Sequence, residues 1–273
     1  MHRSNGSIID YSPNILIAIV IACFSGGALA IIVAAGTLAL HARWISRLVS
    51  FAVGALLGAI FLELLPHALE LGTTQHVMMM LLGGLLLFFL LEKMVLWRHS
   101  HLEAETLGHA SGLDTDIHAQ GLDHGRSGLM IVVGNSVHNL CDGIVIAAAF
   151  VADFALGMTT ALAIVAHAIP QQVGDFAVLL HSGYTRRRAF VYNLATGAAT
   201  LIGGLAGYAA LASMQHILPT VLALASASLL YVAVADLIPS LHRHAAPAET
   251  AQQLALIAVG IAIIALVHLA LEH

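Results

Sequence analysis

His138 and Asp142 stand four residues apart in "NSVHNLCDGIVIAAAF", and His167, Gln171 and Asp175 stand four and four apart in "HAIPQQVGDF". A spacing of four puts side chains on one face of a helix. Imidazole nitrogens, carboxylate oxygens and amide oxygens together suit Zn²⁺, Fe²⁺, Co²⁺, Ni²⁺ or Mn²⁺ better than Ca²⁺ or Mg²⁺. They are also unlike the all-thiolate cage of a structural zinc site. Asn135 joins the first face, and Asn139 lies about 100° around the helix from His138, near enough to share a cavity. Pro170 sits inside the second stretch and frees the carbonyl of Ala166, which in lipid needs water or an ion as partner.

Both stretches lie in long apolar runs. An ionisable group there costs roughly 2.5–3.5 kcal/mol on insertion scales and is a functional candidate by default. One such histidine alone reads as a hydrogen-bonded core residue. Two neighbouring runs with the same spacing read as a metal or proton pathway.

The elements that must position these residues follow from composition. Of 273 residues, 59% are hydrophobic and 9% charged, against roughly 25% charged in soluble domains. The net charge of −5 gives no nucleic-acid signal, and no cofactor is expected beyond the metal itself. The two cysteines, Cys23 and Cys141, lie in apolar runs and form no disulfide framework. Cys141 reads as a small packing residue. A bilayer core takes about 20 apolar residues per helix. Eight segments qualify: 14–40, 44–71, 75–97, 127–151, 155–182, 187–211, 217–242 and 251–272. The first is longer than a signal peptide's apolar region and reads as a retained span. The predicted fold is an all-α integral membrane protein with eight transmembrane helices, one transport domain over residues 1–273.

Nine of the ten Lys and Arg flank the odd-numbered connections, and Arg3 is the exception. This bias places those connections in the cytoplasm and both termini outside it, in the inner (plasma) membrane. The long connection 98–126 carries His99, His101, His109, His118 and His124. It has no helical apolar period and reads as a flexible cytoplasmic loop with a candidate metal role. Span two contains Glu63-Leu64-Leu65-Pro66 and span seven Asp236-Leu237-Ile238-Pro239. With opposite directions through the bilayer, they fit an inverted repeat of spans one to three onto six to eight, a transporter signature. Glu63, Asp236 and Glu92 are secondary candidates for lining a pathway. His268 reads as structural, and Asn193, Thr196 and Thr200 share a supporting face of span six.

The motifs "HNLCDG" and "HAIPQQVGDF", with "SFAVGALLGAIFLELLPHALE" and "LYVAVADLIPSLH" in spans two and seven, resemble the ZIP (Zrt/Irt-like) metal transporters of the bacterial and LIV-1-like branch. The resemblance covers all eight spans. It implies a 3+2+3 arrangement, uptake of divalent metal into the cytoplasm, and a metal centre between spans four and five, binuclear in relatives. It also implies a homodimer. Carried over position by position, His138, Asn139 and Asp142 match ligands in span four. His167 and Gln171 match ligands in span five, and Asp175 matches the motif's GDF.

Three departures stand out. Ala168 and Gln172 replace the usual Glu residues, and Thr200 stands where some relatives carry a carboxylate. Two divalent ions would bring four positive charges against Asp142 and Asp175, an imbalance hard to sustain in a low-dielectric site. One principal site is therefore expected, built on His138, Asp142, His167 and Gln171. The expected function is transport of divalent transition metal, zinc first, by alternating access, with the hairpin of spans four and five moving against the repeats. Two alternatives compete. One is an intramembrane metal-dependent hydrolase, although the chain has no His-Glu-x-x-His. The other is a relative that binds or senses metal without transport.

Overall fold

Every regular element among the described residues is helical. The computed structural model describes residues 13–36, 42–108, 126–242 and 247–271. We number the spans α1 (Pro13–Gly36), α2 (42–71), α3 (Thr74–Gly108), α4 (Arg126–Ala152), α5 (Phe154–His181), α6 (Arg186–Ser213), α7 (Leu218–Leu241) and α8 (Pro247–Leu271). Seven of these are long and apolar enough to cross a membrane, and α1 adds a shorter apolar stretch, Pro13–Gly26. Lipid offers backbone groups no partner, so each apolar run satisfies its own as a helix. The chain is a multi-pass, all-α membrane protein.

One local reading changes. Residues 98–108 continue α3 rather than opening a loop, because a helix already formed propagates cheaply into polar sequence. His99 and His101 therefore lie on a helix, while His109, His118 and His124 lie outside the described residues. The α4–α5 connection is a single extended residue, Asp153, whose side chain accepts from Leu156 N at 3.0 Å and starts α5. This tight reversal makes α4 and α5 an antiparallel hairpin.

The acid-Leu-x-Pro repeat has a structural counterpart. α2 widens to a π-helix over Ala59–Leu64 and α7 over Val232–Leu237. Glu63 and Asp236 each occupy the fifth of six residues, with Pro66 and Pro239 just beyond. π-segments are rare and recur at functional sites.

The spans sort into two bundles. α1, α4, α5 and α6 pack together, and α2, α3, α7 and α8 form the other group. α5 makes the main contact across the seam, against α2 and α8. The α4–α5 hairpin thus packs as part of one group with α1 and α6, one from each repeat. Small residues allow this packing without a hydrophobic drive between helices. A Cβ on Gly143 would stand 2.0 Å from the carbonyl of Thr200, and one on Gly203 2.0 Å from that of Leu140. Gly54 and Gly260 do the same for α2 and α8, at 2.1 Å from Ile257 O and 2.5 Å from Phe51 O.

Gly203→Ala is expected to cost roughly 1–3 kcal/mol or more by overpacking α4 on α6. Gly83→Ala meets open space and serves as control. A thermal-melt comparison in detergent checks this; a Gly203→Ala protein melting with the control would mean that α4 and α6 tolerate separation.

Candidate metal centre

The i,i+4 face of α4 meets the face of α5 that carries His167. His138 Nε2 lies 3.5 Å from Asp142 Oδ2, His167 Nε2 lies 3.4 Å from the same oxygen, and the two nitrogens are 3.4 Å apart. These three atoms form a nearly equilateral triangle. Edges of that length are those of a tetrahedron whose centre is about 2.1 Å from each corner, the range of Zn–N and Zn–O bonds. Among the described residues it is the one group of three His, Cys, Asp or Glu side chains that converges closely enough to hold an ion.

Asp142 and His167 are buried, with side chains 2% and 1% exposed, whereas His138 keeps 19%. Beyond the triangle, α4 is sealed: Val145 to Val151 are all buried. Before it, Val133 and Val137 are exposed, and Gly134 and Gly174 border open space. The exposed stretch lies toward the end of the fold that carries Arg126 and Arg186.

Polar atoms without a protein partner gather here. Asp142 Oδ1, His167 Nδ1, Gln171 Oε1, Gln172 Oε1 and Asp175 Oδ2 are buried and accept or donate no protein hydrogen bond. Buried polar groups are nearly always satisfied, so this concentration points to an ion and water in the site. Gln171 follows His167 by one turn and leaves its oxygen available as a fourth ligand. Asp175 is held by a hydrogen bond from Asn135 and stands one turn nearer the open end.

Asn139 faces another way. Its Nδ2 donates to Thr196 O at 2.9 Å. Thr196 Oγ1 donates to Asn193 O at 2.8 Å, Asn193 Nδ2 donates to Gln172 O at 3.0 Å, and Gln172 Nε2 donates to Thr196 Oγ1 at 3.4 Å. This network knits α4, α5 and α6 directly. Beside it a cavity of about 10 Å³ is lined by Cys23, Asn139, Asp142, Ala168, Gln172 and Thr200. Ala168, Gln172 and Thr200, the three departures from the family pattern, thus converge on one small space. It has room for about one water. Cys23 comes from α1, more than a hundred residues away, and nothing in its local sequence marks it.

The secondary candidates lie in the other bundle. Asp236 sits across the seam, near enough to interact electrostatically with His138, His167 and Asp175. Glu92 accepts a hydrogen bond from Tyr231 of α7 and also interacts with Asp236. Glu63 is fully buried and pairs with His268 Nδ1 at 2.8 Å. Tyr231 and His268 acquire these roles through packing; only the polarity of His268 in an apolar run marked it in advance.

Known proteins resemble this chain along much of its length. The family model described as "ZIP Zinc transporter" matches residues 98–268. Zinc transporter ZIP13 of Pongo abelii is 31% identical over 239 residues, which are 81% of this chain and 66% of that protein. Zinc transporter ZIP10 of Homo sapiens is 34% identical over 145 residues, 53% of this chain and 17% of that protein. Zinc transporter ZIP4 of Homo sapiens is 39% identical over 112 residues, 41% of this chain and 17% of that protein. The chain thus spans 66% of the length of that ZIP13 and about a sixth of the other two. The family match takes in more than half of the chain and both helices of the His138–Asp142–His167 triangle, and the chain belongs to the ZIP zinc transporter family.

Proposed function

We propose that this protein carries divalent transition-metal ions, zinc foremost, into the cytoplasm. One principal ion per cycle is held by His138, Asp142 and His167, with Gln171 as fourth ligand and Asp175 next on the path. The observation that carries this reading is the triangle, whose edges of 3.4, 3.4 and 3.5 Å match a tetrahedral transition metal. Mixed nitrogen and oxygen donors with one carboxylate bind such an ion without trapping it.

Inward direction is supported by the arginine-rich end, read as cytoplasmic, toward which the exposed stretch beside the site lies. Membrane potential adds about 2.3 kcal/mol per charge per 100 mV for a cation entering a negative interior. Asp236 and Glu92 offer oxygen ligands along that way out, and Asn139 supports the centre through α6. The bundle of α1, α4, α5 and α6 moves against the other four spans, with α5 sliding along the seam. The protein acts as one unit over residues 1–273 in the plasma membrane, with both termini outside the cytoplasm. The exposed apolar faces of α3 and α8 meet lipid, and a homodimer belongs to the same proposal.

The second reading, metal binding or sensing without transport, is favoured by one observation: the cavity beside Asp142 offers Ala168 and Gln172 where relatives place carboxylates. Proteoliposome uptake with Zn²⁺, Fe²⁺, Mn²⁺, Co²⁺, Ni²⁺ and Cd²⁺ separates the two. The parent should show saturable uptake, and His167→Ala should lose it by at least roughly tenfold, the equivalent of one 1.4 kcal/mol ligand contact. Equal flux in both would reject the site, and bound metal without flux in the parent would favour sensing.

A further inference from the structure

We propose that the outer face of α6 binds an anionic phospholipid, its phosphate held by Arg186, Arg187 and Arg188 and its acyl chains lying on an apolar stripe that begins at Phe190. This site is on a different face from the metal centre and does not rest on the transport reading.

Charge is the first observation. The three arginines are consecutive and exposed at the start of α6. The chain holds no Asp or Glu from Phe176 to Ala235. None of the three guanidinium groups pairs with a carboxylate among the described residues. Positive charges without an acidic neighbour attract an anion, and a planar guanidinium meets a phosphate with two parallel hydrogen bonds.

Position is the second. α5 ends at His181 and α6 begins at Arg186, so four residues make the reversal, with Gly183 in the left-handed region at φ 83°. A turn this short holds the arginines at the bilayer surface. Behind them Val173, Phe176, Leu179 and Ala189 form a small buried cluster, against which Ile45 of α2 and Tyr192 pack. The rings of Tyr184 and Tyr192 meet edge to face with centroids 5.3 Å apart, and such aromatic side chains gather at the level of lipid headgroups. Arg47, two residues beyond Ile45, lies over the Trp44 ring at 5.0 Å and adds positive charge at the same end.

The third observation separates a lipid from a free anion. Around the helix axis, Phe190, Val191, Leu194 and Ile202 all fall within about 60° of Arg187. They are 40%, 52%, 52% and 59% exposed. Leu194 stands about 10 Å deeper than Arg187, within the roughly 15 Å that the chains of one leaflet occupy. A free phosphate or nucleotide would leave this stripe uncovered, whereas a lipid covers it while its phosphate meets the arginines. A zwitterionic headgroup would bring its own cation to the same arginines, so the site selects net negative charge. Anionic lipids are those of the cytoplasmic leaflet, the side assigned to this end by its arginines. The opposite face of α6 carries Asn193 and Thr196, bonded to Gln172 of α5 and Asn139 of α4. A lipid held here braces the helix that supports the metal centre.

The test titrates the full chain in neutral detergent with phosphatidylglycerol, phosphatidylcholine or sn-glycerol 3-phosphate. Native mass spectrometry reads the bound lipid, and thermal melting reads stability. Phosphatidylglycerol should bind at least about tenfold tighter than phosphatidylcholine and raise the melting temperature, because a ligand of the folded state stabilises it. Glycerol phosphate should do neither. Arg187→Gln should weaken phosphatidylglycerol about fivefold, the share of one interfacial charge, and changing all three arginines to Gln about a hundredfold. Leu194→Asn should weaken it with the arginines intact. Lys93→Gln, which removes an exposed charge from α3, should leave affinity unchanged. Equal binding of the two lipids, or equal losses in Lys93→Gln and Arg187→Gln, overturns the site and leaves only diffuse attraction. Glycerol phosphate binding as tightly as phosphatidylglycerol, or an unchanged affinity in Leu194→Asn, overturns the lipid as occupant. If the triple variant fails to fold, Arg187→Gln and Leu194→Asn decide the question. No arm requires uptake, so failure here leaves the transport reading standing.

Discussion

Asp142→Asn is expected to reduce metal uptake to the liposome background and to weaken Zn²⁺ or Cd²⁺ binding at least about a hundredfold. The substitution keeps volume and shape, so the loss is one of charge. Asp142 is the sole carboxylate of the triangle, and its Oδ2 is the corner shared by both histidines, at 3.5 and 3.4 Å. Breaking a buried ionic contact by removing one partner costs about 3–5 kcal/mol, which converts to two or three decades in affinity at about 1.4 kcal/mol each. A divalent ion between two neutral imidazoles would have lost the one charged group that touches it, in a site whose walls are buried. The effect should also rank the ligands. Asp142 comes first, then His167, which is equally buried. His138 comes last, because its partial exposure lets water take the vacant corner. Isothermal titration of the three variants checks the order. A His138 variant more damaged than Asp142→Asn would mean that the charge lies elsewhere.

Some of this was legible in the sequence for simple reasons. Lipid forces apolar runs into helices, so the spans could be counted from hydropathy and the polar faces from a spacing of four. The acid-Leu-x-Pro repeat held because both copies place the acid at the same point of a π-segment. Packing decided the rest. Asn139 lies at an angle to His138 on α4, and that angle turns its amide toward Thr196 of α6. Cys23 reaches the cavity from α1, and His268 reaches Glu63 from the far end of the chain. The division into two bundles depends on where glycines let backbones touch. A list of glycines does not reveal that, because Gly83 faces open space while Gly203 faces a carbonyl. Residues 98–108 are polar, and periodicity is blind to a helix that merely continues.

The departures at 168, 172 and 200 lead to the second large effect. Gln172→Glu should raise metal bound per chain from one to two. Of the three positions, this is the one where Glu enters without added volume. Ala168→Glu would have to place its side chain in a cavity of about 10 Å³ and overpack it. At 172 the new carboxylate would face the same space as Asp142 Oδ1, an oxygen with no protein partner. Asp142 would then bridge two ions, with Asn139 beside them. The same change has an opposite effect in chelator. Two carboxylates sharing a buried site repel, and the donor bond from Gln172 to Thr196 Oγ1 is lost. Metal-free Gln172→Glu should therefore melt below the parent, and added Zn²⁺ should raise its melting temperature more steeply, because ligands that bind the folded state stabilise it by mass action. Inductively coupled plasma analysis of the dialysed protein counts the metal. Two ions already bound to the parent would show that the uncharged cavity is a metal position after all, and that neutral oxygens suffice beside Asp142.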